Sequence, residues 1–363
     1  MKVNKKKVEI DFLLIFILAY TILAIYLISF WFLFLYIVAF IYVYIKKVKL
    51  PNLICYFCVS FIPLLLNFAI GNFNCFDHFA QWINKIFGFS VRSKIMEFIN
   101  NTYDDKTKSI INFFIFNYKD KYSYKIYQII INLSIIYLIV IGGFHLSILQ
   151  KIVKRIIKKP KILGEVIAFI VILYYTYLLN FSVSTSRVLI STLCGYLLFW
   201  TKFNRYNKTA CAGILSLLIY PNIIENLGFN LSYLCTFAVI FVFSFNIKNF
   251  FLRQIIINVL CTLISLPFVV SINHEISLFA VINSLLFNYL ISILFIVMLF
   301  TFWVKWIYPF QKYLCWFIVN FVMAFNVINV MIKLQSWEFY VQSIYMVLFF
   351  GGMLVTKNKL YKQ

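Results

Sequence analysis

The sequence predicts an all-α, polytopic membrane protein: a transmembrane helical bundle of roughly twelve spans with both termini in the cytoplasm. Three observations predict it. Hydrophobic residues make up 64% of the chain and charged residues 12%, with a mean hydropathy of +0.93, which leaves too little polar surface to clothe a soluble globule. Apolar stretches near the ~20 residues needed to cross a hydrocarbon core follow one another almost end to end. Lysine and arginine recur after every second stretch, the pattern expected when positive charge is retained on the cytoplasmic side.

In chain order, Lys2, Lys5, Lys6 and Lys7 precede the first stretch (12–29), and a second (31–45) leads to Lys46, Lys47 and Lys49. A basic start before an apolar run looks like a secretory signal. The run continues through Ile45 without a small-residue cleavage site, so residues 1–50 read as a retained transmembrane hairpin. Residues 51–127 hold a third stretch (53–70) and a long segment, about 71–128, which the alternation places outside the cell. There Ile95, Phe98 and Ile99, then Ile110, Ile111, Phe114 and Ile115 recur at near-helical spacing. That spacing predicts amphipathic helices over 91–118, lying on the membrane or over the mouth of a bundle. The segment's Lys85, Arg92, Lys94, Lys106, Lys108, Lys119, Lys121 and Lys125 are the sizeable basic group expected on the external face. They could collect a polyanion, with aromatic rings to stack bases. Asp77, Glu97, Asp104, Asp105 and Asp120 offset much of that charge, and an ordinary solvated helix surface is the favoured reading.

Residues 128–356 carry the remaining stretches: 129–149, 163–180, 188–200, 210–224, 229–245, 255–272, 276–304, 313–332 and 339–355. Basic groups follow alternate members: Lys151, Lys154, Arg155, Lys158, Lys159 and Lys161; Lys202, Arg205 and Lys208; Lys248 and Arg253; Lys305 and Lys312. The turns between, at 180–186, 222–226, 273–275 and 335–338, are almost free of Lys and Arg. Residues 357–363 form a cytoplasmic basic tail with Lys357, Lys359 and Lys362. The net charge of +22 therefore follows from membrane topology before any nucleic-acid reading is needed.

Catalytic chemistry finds little purchase. Cys55 and Cys58 form a C-x-x-C inside an apolar stretch beside Tyr56 and Phe57, where thiols behave as small hydrophobes. His78, His145 and His274 are scattered and make no metal-ligand cluster. No Walker phosphate loop is present. The expectation is a protein that is not an enzyme and has no cofactor, its energy coming from a partner or a gradient.

Polar or helix-disrupting residues inside the stretches mark four places. Gly142, Gly143 and His145 lie together with Ser147, and an intramembrane imidazole usually faces protein or a water-filled path. Ser184 and Arg187 form an external turn and helix start, where the planar guanidinium could grip a phosphate or carboxylate. Gly228, Phe229, Asn230 and Ser232 begin the eighth stretch from outside. Pro267 is expected to break the ninth, and Asn283 lies inside the tenth. Small residues permit close helix packing and polar side chains bond across a bundle. Four such sites in successive hairpins point to a lined cavity, because Gly and Pro interruptions commonly mark a substrate path.

These same residues resemble the membrane competence domain of the ComEC family of DNA-internalisation proteins. The family's L-G-D-K-S leading to H-L-x-A-I-S-G-L-H is similar to Asn117 to Tyr122 followed by Leu138 to His145. Its S-P-S-x-x-R-A is similar to Ser182 to Val188, and its N-P followed by G-F-Q-L-S-F to Tyr220, Pro221 and then Gly228 to Tyr233. Its later P-L with an intramembrane Asn is similar to Pro267, Phe268 and Asn283. Departures stand at Gly142, where the family has serine, at Val183, where it has proline, and at Val188, where it has alanine. The external oligonucleotide-binding-fold domain and C-terminal nuclease domain of larger members are not expected in this chain.

The resemblance implies a channel core, embedded multi-pass in the plasma membrane lipid bilayer, for uptake of single-stranded DNA during natural transformation. Arg187 would pair with backbone phosphate, Asn230 and Ser232 would supply neutral hydrogen bonds, and His145 would line the inner half. A separate nuclease, DNA receptor or helicase is the implied partner. The sequence leaves two alternatives open: a secondary transporter or lipid-linked flippase for a small anionic substrate, and a degenerate relic of the family.

Overall fold

A computed structural model describes residues 10–27, 34–70, 75–87, 89–135, 142–157, 161–199, 201, 203–334 and 339–360. The N-terminal lysines 2–7, the motif residues 138–141 and the turn 335–338 lie outside these. Helices make up nearly all of it: α1 (Phe12–Tyr26), α2 (Phe34–Lys46), α3 (Leu50–Ser60), α4 (Ile62–Ile70), α5 (Cys75–Phe87) and α6 (Val91–Thr102) come first. Then follow α7 (Asp105–Phe116), α8 (Lys121–Asn132), α9 (Gly142–Ile156), α10 (Lys161–Leu178), α11 (Val183–Leu197) and α12 (Arg205–Ile219). The last are α13 (Leu227–Ser244), α14 (Phe250–Asn273), α15 (Ala280–Thr301), α16 (Tyr308–Ile328) and α17 (Phe339–Leu360). A two-stranded antiparallel ribbon, β1 (Glu275–Ser277) with β2 (Met331–Lys333), is the one addition to the all-α expectation among the described residues.

Five helical stretches among the described residues are long and apolar enough to cross a membrane: Leu50–Ala69, Leu227–Ser244, Phe250–Ser271, Ala280–Thr301 and Lys305–Ile328. The sequence predicted roughly twelve. Four shorter apolar helices, Phe12–Tyr26, Leu35–Lys46, Ile162–Leu178 and Val341–Leu354, stand beside them among the described residues. The stretch 12–29 ends its helix at Tyr26. The stretch 129–149 is interrupted, since α8 stops at Asn132 and Ser134 takes a left-handed φ of 57°. Pro267 does not break its helix as expected: α14 runs through it unbroken from Phe250 to Asn273. A proline removes one backbone donor and crowds the preceding turn, which apolar burial on both sides of it, at Ile264 before and Phe268, Val269 and Val270 after, tolerates.

The chain divides into two compact units. The first gathers residues 1–73, 190–225 and 339–363. Its core is Leu14, Ile17, Leu18, Ala39 and Tyr42, flanked by Leu35, Leu53, Tyr56 and Leu354. Asp11 caps α1, accepting from Leu14 N at 3.4 Å, and ties α2 by accepting from Tyr42 Oη at 2.7 Å. Gly213 of α12 packs so closely on α1 that a Cβ there would stand 2.4 Å from Phe16 Cε2.

The second unit gathers residues 74–189 and 226–338. Its α13, α14, α15 and α16 pack in chain order, with α7 and α8 against them. Helix α7 does not lie on a surface with one face wet: Thr107, Ser109, Ile110, Ile111, Asn112, Phe113, Ile115 and Phe116 are all buried. The chain entering α7 is held by the turn between α15 and α16. Tyr103 Oη lies 2.8 Å from Phe302 O and 2.7 Å from Gln311 Oε1, and Tyr308 Oη donates to Asp104 Oδ1 at 2.6 Å. This corrects one pair of expectations. Alternation placed the segment around Asp104 outside the cell and the turn around Lys305 inside, yet the two are in direct contact at one end of the unit.

Candidate functional site

The sequence-selected residues of the second unit separate into three local arrangements. The first is built where α11 meets α13. Asn180 and Phe181 turn the chain with φ of 50° and 47°, and the start of α11 is fastened by its own hydroxyls. Thr185 Oγ1 donates to Ser182 O at 2.9 Å and Ser186 Oγ to Phe181 O at 2.9 Å. Ser184 sits in this first turn, half-buried. Opposite, Asn226 caps α13 by accepting from Gly228 N at 2.9 Å and Phe229 N at 3.3 Å, the side-chain oxygen satisfying amides that a helix start leaves unpaired. Phe229 is fully buried with its ring 4.6 Å from that of Tyr233, and Asn230 and Ser232 are buried beside it.

Arg187 points into this corner and is 7% exposed. Its Nη1 donates to Ser232 O at 3.3 Å and to Thr236 Oγ1 at 2.5 Å, and its guanidinium carbon lies 5.6 Å from the centre of the Tyr233 ring. Thr236 Oγ1 in turn donates to Ser232 O at 2.7 Å. No carboxylate answers the charge: the ion pairs among the described residues are Lys108–Asp105 and Lys154–Glu165. Arg187 Nε is buried without a hydrogen-bond partner, and so is Ser232 Oγ. An unpaired cation out of water is costly, and a guanidinium with a spare donor is suited to bind an oxyanion.

Sequence reasoning passed over the residues that extend this corner. Cys235 of α13 and Cys261 of α14 are neighbours across the contact of these two helices, so the turn of α14 around Cys261 faces the turn of α13 that follows Ser232. Asn258 Nδ2 and Thr262 Oγ1, flanking Cys261, are buried without partners. Their signal was present as polar residues at positions 258, 262 and 265, an i, i+4, i+7 spacing that puts Asn258, Thr262 and Ser265 on one helix face.

The second arrangement holds His145, half-buried on α9, which starts at Gly142 and Gly143. The imidazole centre lies 4.7 Å from the Phe295 ring, itself 5.9 Å from the Tyr175 ring. Tyr175 Oη donates to Ile115 O at 2.6 Å, joining α10 to α7.

The third is a clasp. Asn283 Nδ2 donates to Leu133 O at 3.3 Å and to Ser277 Oγ at 3.2 Å. Ser277 N donates to Ser134 Oγ at 3.0 Å, and Ser277 Oγ to Asn329 Oδ1 at 2.5 Å. Asn329 Nδ2 reaches Asn132 O at 3.1 Å. The C-terminal end of α8, the ribbon and the start of α15 are thereby locked together. The sequence reads Asn283 as a substrate-path residue; both hydrogen bonds of its amide nitrogen serve this lock. The buried corner at Arg187 therefore joins it with Ser232, while His145 and Asn283 engage other neighbours.

Comparison with known proteins places these residues in a family. The competence protein family matches residues 114–359, about two thirds of the chain. The chain is 30% identical to Uncharacterized protein MG316 of Mycoplasma genitalium over 247 residues, 67% of this chain and 64% of that one. It is 29% identical to Uncharacterized protein MG316 homolog of Mycoplasma pneumoniae over 165 residues, 45% of this chain and 43% of that one. The matches thus cover less than two thirds of either relative's length. No solved structure matches the chain. All three arrangements fall inside the matched region, and helices of spanning length run through it: the chain is a membrane protein and belongs to the ComEC-type competence protein family.

Proposed function

We propose that this chain is a multi-pass protein of the plasma membrane that takes part in DNA uptake by passing single-stranded DNA inward during natural transformation. The observation that carries this reading is Arg187. A buried guanidinium without a carboxylate, bonded through Nη1 to Ser232 O and with its Nε unpaired, is the group a passing phosphodiester would engage. Tyr233 and Thr236 adjoin it on α13. In this account Asn258 and Thr262 continue the polar lining, His145 packs α9 against α15, and Asn283 holds the bundle end shut as a positioning residue. The chain acts as a conduit and not as a catalyst. Strand degradation and driving force belong to a separate nuclease, DNA receptor or helicase.

One observation favours a second reading. Arg187 is enclosed between α11 and α13, a geometry that also suits a small anion carried by a transporter or a lipid-linked flippase. Internalised, nuclease-resistant labelled DNA separates the two. Hydrogen bonds to charged groups contribute about 1.5–3 kcal/mol, so Arg187→Ala should lower uptake by roughly tenfold to a hundredfold at unchanged membrane abundance, and added salt should weaken binding further. Unchanged uptake in that variant would remove the conduit role of this site.

A further inference from the structure

The contacts of α6 and α7 settle on which surface a set of basic residues stands together. Phe98 of α6 lies under Lys305, whose Nζ is 5.6 Å from the ring centre. Arg92 Nη2 donates to Phe116 O at 3.3 Å, and the Phe116 ring is 6.2 Å from that of Phe302. With the Tyr103 and Asp104 bonds to Gln311 and Tyr308, α6 and the start of α7 are fixed to the turn between α15 and α16. That turn carries Lys305 and Lys312, on the side that the alternation of basic turns assigns to the cytoplasm.

Exposed lysines gather at this end of the unit: Lys94, Lys106, Lys119, Lys305 and Lys312. Lys94 lies 3.6 Å above the Phe89 ring and Lys119 3.3 Å above Tyr127, which positions both ammonium groups without neutralising them. Trp303, Trp306, Tyr313 and Trp316 are exposed along the same turn and the first turns of α16, Trp306 at 83%. Exposed Trp and Tyr beside lysine is the composition of a membrane–water interface, where amphipathic rings sit at headgroup level. A juxtamembrane cluster of basic residues attracts anionic lipid.

We infer that α6, the start of α7 and the turn 302–316 form one basic surface rimmed by tryptophan that faces the cytoplasm and binds anionic headgroups of the inner leaflet. This reverses the external placement of residues 91–118. It rests on the positive-inside orientation of the chain and not on DNA passage. The aromatic rim favours lipid over a nucleic-acid strand, because rings at headgroup level gain from the apolar boundary that a strand in water lacks.

Two measurements test it on the full chain. Lys106→Cys and Lys312→Cys are each labelled with a membrane-impermeant maleimide, above the wild-type background, in intact and in permeabilised cells. Labelling of both only after permeabilisation is expected. Lys312→Cys labelled in intact cells would overturn the orientation, and Lys106→Cys labelled while Lys312→Cys is protected would overturn the shared surface. In vesicles of phosphatidylcholine with phosphatidylglycerol, tryptophan emission should be quenched more by brominated phosphatidylglycerol than by brominated phosphatidylcholine. Lys305→Glu and Lys312→Glu should each lower that preference by about fivefold or more. Equal quenching by the two lipids, or loss of the preference when an oligonucleotide is added, would overturn the lipid assignment.

Discussion

At Arg187 a single side chain carries the functional argument, and its neighbours decide what it can do. The polar character of its span was legible in the sequence, as were the motif residues Gly228 to Ser232. Their pairing was not, because which helix faces Arg187 depends on the turn at Asn180 and Phe181. Asn283 shows the reverse case. As a polar residue in an apolar stretch it looked like path lining, but hydrogen bonds to Leu133 O and Ser277 Oγ occupy its amide. Asn283→Ala should leave two buried acceptors short and cost about 1–3 kcal/mol, read as a lower thermal unfolding midpoint of the detergent-solubilised protein. An unchanged midpoint would show that the clasp contributes nothing. Gly213→Ala should overpack the first unit against Phe16, at about 1–3 kcal/mol, with Phe16→Leu in the same chain restoring the loss.

Among the elements, the α7–α8 elbow departs most from expectation. The near-helical spacing of Ile95 to Ile115 correctly predicted helices, but not that α7 would be buried on nearly every side. Amphipathic periodicity describes one buried face, and the second face of α7 is closed by residues distant in sequence: Ile115 O accepts from Tyr175, and Phe116 faces Phe302. The elbow is pinned by Asp120, which caps α8 through Tyr122 N at 3.0 Å and Ser123 N at 2.8 Å and also accepts from Ser109 Oγ. Burial works against the Asp120 carboxylate, but the hydrogen bonds from Ser109, Ser123 and Tyr122 prevail and hold it below its ordinary value. A carboxyl lowered on folding stabilises the fold at pH above its unfolded value and loses that contribution as pH falls through the folded value. The native chain should therefore lose stability on acidification below the ordinary carboxylate range, and Asp120→Asn should flatten that dependence. Asp120→Ala should cost about 1 kcal/mol at neutral pH through the lost cap. A variant with the native pH profile would show that another group is responsible.

For the whole molecule, composition was the most reliable guide: a helical membrane protein was legible from hydropathy alone. The helix ends were not, since Ser134 and Tyr26 interrupt helices within runs that remain apolar in sequence. Nor was the gathering of residues 190–225 with the two ends of the chain into one compact unit, because hydropathy carries no information on which helices meet. Family membership extends over residues 114–359, so the three local arrangements are features of the competence-matching region. The most direct measurement is the amount of nuclease-protected, fluorescently labelled DNA inside cells that lack this chain, before and after it is restored. Uptake abolished by the deletion and returned by the native chain, but not by Arg187→Ala at equal abundance, is the predicted result. Undiminished uptake in the deletion strain would contradict the account.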